Sequence, residues 1–545
     1  MLLVNNTLIW VKILLSILVS FHIFCIWYFS INAGWWDDYI VAFYEIEGYL
    51  NAKTLNEKFK ILVGPFGDHR SMLSRIFFLI QIRLNGNVVN YRYLMIIGNV
   101  FSLLIVWVFY KAWKIEKWNF LFFIPIVMFV LNLQFYEAQF FANGVFGYIA
   151  IVFFSTLIVW ETAYKGRIWL LMILATIALL TFGNALFVLV AVLTQLIFQR
   201  RTKNAIIWLI YCTVVAIFYF TEIQNPHFSG NTQIENIDII KSFKAMIYHL
   251  GSPLNFNSSL ESKLCLILGS LQFVLLSYFM VTIGLKFVNK FPISTIDSFL
   301  LGLYIFGGLS VTAIAFLKHN IGMDIMFLSR YRLAPTLLLI ISYIMLIRLQ
   351  KKVVSIGLLI FSTCCYYIPT KLIFFNKTKN FHIQKQAENW ILKNRKGTLA
   401  PFNDPFDFSR IKNVHFKPDD SIVAALRSID FSKTKPITQC SELEIKQNPN
   451  GSSIIFHTTR KISKFSKNNG LLLFFKNLNA ADDFLVTAQN DSHPKEFLKE
   501  LIYNKHAFSA NITKAFFQKG TYDIYILEIK NNTLNAFQTN QKLIL

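Results

Sequence analysis

The sequence predicts an α-helical polytopic membrane protein followed by a C-terminal soluble α+β domain. Three observations carry that prediction. Apolar runs of bilayer length recur from the N-terminus to about residue 372 and then stop. Hydrophobic residues make up 55% of the chain and charged residues only 15%, a balance outside the usual range of soluble domains. The loops between the runs are basic in alternation.

The elements follow in order. A run of about 20 apolar residues crosses the hydrocarbon core. Candidate spans cover 9–31, 90–110, 118–134, 143–160, 167–182, 184–198, 205–221, 262–285, 297–317, 333–348 and 353–371, which makes about eleven. The two on either side of Gly183-Asn184 are the shortest. The first run carries Lys12 and no small-residue cleavage site, so it reads as a retained helix. Segment 36–50 has the pattern of an amphipathic interfacial helix, and 71–84 that of a second interfacial or re-entrant helix.

The tail from 373 to 545 is polar and rich in Lys and Asn. Ser453 to His457, Leu471 to Phe475 and Thr521 to Leu527 alternate as strands do, whereas Ser421 to Arg427 and Pro494 to Tyr503 read as helices. The domains are therefore 1–372 in the membrane and 373–545 outside it. Asp482-Asp483 and Asp491-Ser492-His493 in the tail read as solvated surface.

Charge sets the topology. The basic loops are 111–117, 165–167, 200–203, 286–290 and 348–352. Short basic loops stay in the cytoplasm, which puts the N-terminus inside and 32–89, 132–142, 222–261, 318–332 and the tail outside. Much of the formal charge of +23 lies in these loops, so nucleic acid is not the expected partner; membrane lipid is. Five of the six cysteines lie in apolar runs and only Cys440 in the tail, so no disulfide framework supports the domain.

Four clusters on the outer side carry the candidate chemistry. Asp37-Asp38 follows the first run within Trp35-Trp36-Asp37-Asp38-Tyr39. Ionised groups at that level are solvated, paired or bound to a cation, and the aromatic neighbours suit the headgroup layer. Gly67-Asp68-His69-Arg70 precedes Arg75. Tyr136-Glu137-Ala138-Gln139 precedes Asn143. Lys318-His319-Asn320 leads to Ser329-Arg330-Tyr331-Arg332. Each has a plainer reading when taken alone: headgroup-level polarity for the acid pair, a surface ion pair for Asp68-His69-Arg70, an interface anchor for Ser329-Arg330-Tyr331. Glu137, flanked by Phe135, Phe140 and Phe141, needs a partner.

Together on one side, in one groove, the clusters suit group transfer from a lipid phosphate. A carboxylate serves as general base or holds a divalent cation such as Mg or Mn. Arginines bind the leaving phosphate bidentately. A lipid flippase would instead show repeated halves and charges at mid-membrane depth. A polysaccharide polymerase or ligase would carry its large loop late between helices.

The order and sidedness of these motifs resemble the GT-C superfamily of polyprenyl-phosphate-sugar-dependent membrane glycosyltransferases over residues 1–370. The matching motifs are Asp38-Tyr39 after the first helix, His69-Arg70 before the next, Glu137 in an outer loop and Ser329-Arg330-Tyr331 late in the membrane part. The composition is also similar to that of serotype-converting O-antigen glucosyltransferases of enteric bacteria. The resemblance implies a GT-C fold and an inverting hexosyltransferase of the bacterial inner membrane with its tail in the periplasm. Such an enzyme takes a hexose, glucose by that likeness, from undecaprenyl phosphate to a surface or lipid-linked glycan such as the O antigen of lipopolysaccharide. It assigns Asp37, with Asp38 as second choice, to general base, acceptor orientation or metal binding. His69, Arg70, Arg75, Arg330 and Arg332 would bind the donor phosphate. Glu137, Asn143, His319 and Tyr331 would hold the acceptor or substrate, with Glu137 assisting in acceptor or metal binding.

Overall fold

The computed structural model describes residues 2–66, 69–221, 238–256, 263–319, 322–348, 352–394 and 411–417, and in the rest of the tail the strands named below with a few residues beside them. The chain is a polytopic helical membrane protein. Among the described residues, eight helices are long and apolar enough to cross a membrane: Ile9–Phe29, Tyr91–Ile115, Phe120–Gln139, Ala142–Tyr164, Thr202–Phe220, Lys263–Val288, Thr295–Lys318 and Val354–Ala387. Three shorter apolar helices, Ile168–Leu179, Ala185–Phe198 and Leu333–Arg348, answer to the other expected spans. The expectation of about eleven spans thus resolves into eight of full length and three shorter.

In chain order the helices are α1 (Leu2–Phe29), α2 (Asp37–Ile40), α3 (Glu47–Asn51), α4 (Leu55–Val63), α5 (Met72–Leu84), α6 (Tyr91–Gly98) and α7 (Val100–Ile115). There follow α8 (Ile124–Val130), α9 (Tyr136–Gln139), α10 (Ala142–Gly144), α11 (Ala150–Tyr164), α12 (Ile168–Leu179), α13 (Ala185–Phe198) and α14 (Thr202–Thr221). The last are α15 (Ile239–Leu250), α16 (Lys263–Val288), α17 (Thr295–Lys318), α18 (Leu333–Arg348), α19 (Lys352–Ile360) and α20 (Ile368–Asn394). Three π-helical stretches interrupt them among the described residues: Val41–Ile46, Val145–Ile149 and Phe361–Tyr367.

Contacts divide the chain into two compact units. Unit 1 is Met1–Tyr28, Asn51–Phe77 and Met95–Leu372; unit 2 is Phe29–Leu50, Phe78–Leu94 and Ile373–Leu545. Unit 2 therefore includes two stretches of the chain before residue 95 as well as the tail. The last apolar helix does not end at 371. It runs on to Asn394, because no Gly or Pro follows Pro369 until Gly397.

In unit 1, α11 is apolar all round and packs against α7, α12, α13 and α17, as a helix without a polar face must. Gly302 on α17 lets α13 approach: a Cβ there would lie 2.5 Å from the Gln195 side chain. Gln195 Nε2 donates to Val159 O (3.1 Å) and Ser298 O (2.8 Å) across that contact. α14 and α16 turn most of their side chains outward.

The five basic loops gather at one end of unit 1. Tyr164 Oη donates to Glu116 (3.2 Å) and Arg167 pairs with Glu161 (2.6 Å). Arg201 reaches Thr162 O (3.3 Å) and Arg200 reaches Phe287 O (3.1 Å). Asp297, at the start of α17, holds Lys286 at 3.0 Å and also pairs with Arg348.

In unit 2, two short strands join the tail to the early chain: β3 (Val88–Val89) pairs in parallel with β4 (His415–Phe416). (β1, Pro65–Phe66, and β2, His69–Arg70, form a small hairpin in unit 1.) The tail strands are β5 (Lys435–Pro436), β6 (Glu444–Asn448), β7 (Gly451–His457), β8 (Ile462–Ser463), β9 (Gly470–Asn477) and β10 (Phe484–Thr487). After them come β11 (Gln489–Asn490), β12 (Tyr503–Asn504), β13 (Ala507–Thr513), β14 (Thr521–Lys530) and β15 (Thr533–Ile544). They form a five-stranded sheet, β10-β9-β14-β15-β5, and a four-stranded sheet, β11-β13-β7-β6. Ile383 and Ala387 of α20 pack on Leu472, Phe474, Leu485, Tyr525, Leu527 and Ile529 of the larger sheet. The three strands expected in the sequence are β7, β9 and β14. The expected helix 421–427, residues 494–502 of the second, Asp482-Asp483 and Asp491-Ser492-His493 lie outside the described residues; Tyr503 opens β12.

Candidate functional site

Each unit contains one candidate site.

In unit 2 the acid pair opens a continuous helical run: α2, the π-helical Val41–Ile46 and α3. Trp36, just before it, has φ 44°, an uncommon conformation for a residue with a bulky side chain. That twist turns the chain so that Asp38 faces back. Asp38 is fully buried, and its Oδ2 accepts from the Trp35 N–H at 2.9 Å, closing the turn that leads into the run. Asp37 remains partly exposed. Tyr39 donates to Gly34 O (3.1 Å) and stacks on Phe43, with ring centroids 6.2 Å apart. The segment lies mostly buried rather than flat at an interface: Tyr39, Val41, Ala42, Phe43 and Ile46 are all in the core.

In unit 1 the end opposite the basic loops holds the other site. After α8 the helix breaks at Leu131, and Asn132 caps the next turn by accepting from Gln134 N at 3.1 Å. That break delivers Glu137. Ser329 braces it, its hydroxyl donating to Gln134 O (2.6 Å) while accepting from Glu137 N–H (3.2 Å). Glu137 Oε2 accepts from the Arg330 N–H at 3.3 Å and lies 3.9 Å from the guanidinium. The two side chains are 13% and 18% exposed, enough to meet a ligand. Burial, the largest single influence, draws the Arg330 pKa down. Tyr148, Glu137 and Tyr331 together outweigh it and hold the guanidinium above its ordinary range.

An aromatic chain links this pair to His69. Arg330 lies over the Tyr331 ring (5.3 Å), Tyr331 meets Tyr148 (6.0 Å), Tyr148 meets Phe182 (4.9 Å), and Phe182 meets His69 (4.6 Å). Asn143, on α10, is buried next to α9. Beneath runs an amide rail. Gln134 Nε2 donates to Tyr366 Oη (2.6 Å) and Thr336 Oγ1 (3.2 Å). Asn132 Nδ2 donates to Thr370 (2.9 Å), and Asn99 Nδ2 donates to Gln139 O (2.8 Å).

The other sequence candidates have different settings. Arg70 is fully buried and donates to Val63 O (2.5 Å) beneath Phe218 and Tyr219. Arg75 donates to Gly64 O (2.7 Å) and Leu62 O (3.2 Å). Arg332 donates to Phe327 O (2.6 Å) and Asn255 O (2.8 Å), and burial is the main influence that lowers its pKa. These three guanidiniums bind backbone carbonyls where helices break. His319 is buried against Ser242, 3.3 Å away. Asp68 lies outside the described residues. Among the described residues no group of three His, Cys, Asp or Glu could hold a metal ion.

No motif or spacing in the sequence marks Tyr148, Phe182, Gln134 or Tyr366. Tyr148 and Tyr366 sit in the second and third π-helical stretches, and the first follows the acid pair; such bulges recur at functional sites. No family model, no curated protein and no solved structure matches this chain.

Proposed function

We propose that the protein is a GT-C-type hexosyltransferase, using undecaprenyl-phosphate sugar as donor and a surface glycan such as O antigen as acceptor. It would work at the outer face of the inner membrane, with the tail in the periplasm. The observation that carries the reading is Arg330, paired with Glu137 and framed by Tyr148 and Tyr331. A guanidinium binds phosphate oxygens, and flanking rings suit the apolar face of a hexose. Cationic charge beside the leaving phosphate stabilises the transition state. In this reading His69, at the far end of the ring chain, hydrogen-bonds the donor. Asp37, the partly exposed member of the acid pair, takes the proton of the acceptor hydroxyl. Each role rests on the geometry of its own unit.

The test is binding of labelled undecaprenyl-phosphate glucose to the purified protein. Arg330→Gln is expected to weaken it at least tenfold and Arg330→Lys to restore it only in part. Equal binding by both variants and wild type contradicts the assignment.

A second reading, movement of lipid-linked sugars across the membrane, has one observation in its favour. His22 and Lys371 are buried in membrane-spanning helices of unit 1. Among the described residues Lys371 Nζ has no hydrogen-bond partner, and it lies 5.4 Å from the centroids of Phe21 and Tyr367; both ring nitrogens of His22 likewise lack one there. Such groups within spans mark pathways in transporters.

A further inference from the structure

Glu47 lies ten residues after Asp37, at the start of α3 in the same helical run. The residue is 5% exposed. Oε1 accepts from Lys412 N (3.0 Å), Asn413 N (3.1 Å) and Asn413 Nδ2 (3.0 Å). Oε2 accepts from Asn413 N (3.0 Å) and Val414 N (2.9 Å). A carboxylate holding three consecutive backbone N–H groups fixes their conformation, and charge-assisted bonds of this kind are the strong ones.

The segment it grips, 411–417, is a strap fastened at two further points. His415 N donates to Asn87 O (2.8 Å) within the β3–β4 pair. Asn32 Nδ2 donates to Lys417 O (2.7 Å), and Asn32 Oδ1 accepts from Tyr91 N (3.0 Å). Between these points Phe416 packs on Tyr91 (5.4 Å), Phe43 (6.3 Å) and Tyr39 (6.5 Å). Tyr39 directly follows Asp38, so the strap lies along the residues that orient the acid pair.

We propose that Glu47 is a positioning residue for the acid pair: it latches the tail strap onto the helical run, and the tail is thereby a working part of the site. The alternative is that the contact only anchors one domain. The two differ in consequence. A positioning latch governs turnover, whereas an anchor governs only how the tail is held. The proposal rests on the glycosyltransferase reading for its turnover arm and on the geometry alone for its latch arm.

The experiment therefore has two readouts on the full-length protein in lipid vesicles. The first is maleimide labelling of Val414→Cys, a buried position, in the cysteine background of the natural chain, with the untouched chain as blank. The second is sugar transfer with kcat and KM resolved for Glu47→Gln, Glu47→Ala and Glu47→Asp. Labelling is expected to be slow with Glu47 present and at least tenfold faster with Glu47→Gln. Transfer is expected to lose at least tenfold in kcat with little change in donor KM, with Glu47→Asp partly restoring it. Unchanged labelling in Glu47→Gln and Glu47→Ala overturns the latch. Faster labelling with unchanged kcat overturns the positioning role and leaves an anchor. If Val414→Cys itself fails to fold, protease cleavage within 411–417 replaces the labelling and is read the same way. A wild-type protein without transfer counts against the glycosyltransferase reading, and labelling alone then decides the latch.

Discussion

Asp37 and Asp38 are adjacent and have different surroundings. Asp38 is buried on the Trp35 N–H, whereas Asp37 is partly open. We predict that Asp38→Asn keeps the fold, since an amide oxygen can still accept from Trp35. Asp38→Ala leaves that buried N–H bare and should cost about 1–3 kcal/mol, read as a lower melting temperature. Asp37→Asn should leave melting unchanged and remove transfer by about a hundredfold or more. A melting loss for Asp37→Asn with transfer intact would reverse the two roles. The sequence showed the pair and not this difference, because the difference arises from the positive φ of Trp36 and the direction of one side chain. Likewise Glu137 was legible as a carboxylate needing a partner, while Tyr148 was indistinguishable from the aromatic residues around it.

At the scale of elements, hydropathy revealed the helices of the bundle and alternation revealed β7, β9 and β14. It did not reveal α15, a short amphipathic helix whose Lys241 and Lys244 lower its mean hydropathy. α15 meets α16 through glycine: a Cβ on Gly251 would lie 1.7 Å from Cys265 O, and one on Gly269 would lie 1.9 Å from Ile247 O. Backbone cannot yield as a side chain can. Gly251→Ala should therefore lower the melting temperature in detergent by several degrees, whereas Gly308→Ala, with nothing within 4 Å, should be neutral or stabilising. Equal effects would contradict the close approach. Asp297 makes a second element-scale prediction. It ties α17 to the ends of α16 and α18, with Lys286 and Arg348 each about a third exposed. Asp297→Ala should cost about 1–3 kcal/mol, less than a fully buried pair because solvent screens both cations.

At the scale of the molecule, the alternation of basic loops is the sequence feature with the widest reach. Five loops distant in sequence are joined at one end of unit 1 by named ion pairs and hydrogen bonds. The sequence placed the domain boundary at the end of the last apolar run; it could not reveal that 29–50 and 78–94 belong with the tail, since that depends on contacts such as Glu47 with Lys412–Val414 across more than 360 residues. One global property follows from a single histidine. Burial holds His249 neutral and lowers its pKa to about 4 from an ordinary 6.5. Between those values the unfolded chain binds a proton that the folded chain does not, so stability falls as pH falls through that window. Melting in detergent should decline from pH 7 toward pH 4, and His249→Gln should flatten the decline. An identical decline in the variant would show that other groups cause it.

The central claim is that an acid at position 37 and a cation at position 330 serve sugar transfer from a lipid phosphate. Its most direct test is transfer of labelled glucose from undecaprenyl phosphate to lipopolysaccharide by purified protein in vesicles, with Asp37→Asn alongside. Transfer by wild type that disappears in a correctly folded Asp37→Asn protein is the predicted result. Absence of transfer, with labelled lipid moving between leaflets equally in both proteins, would contradict it.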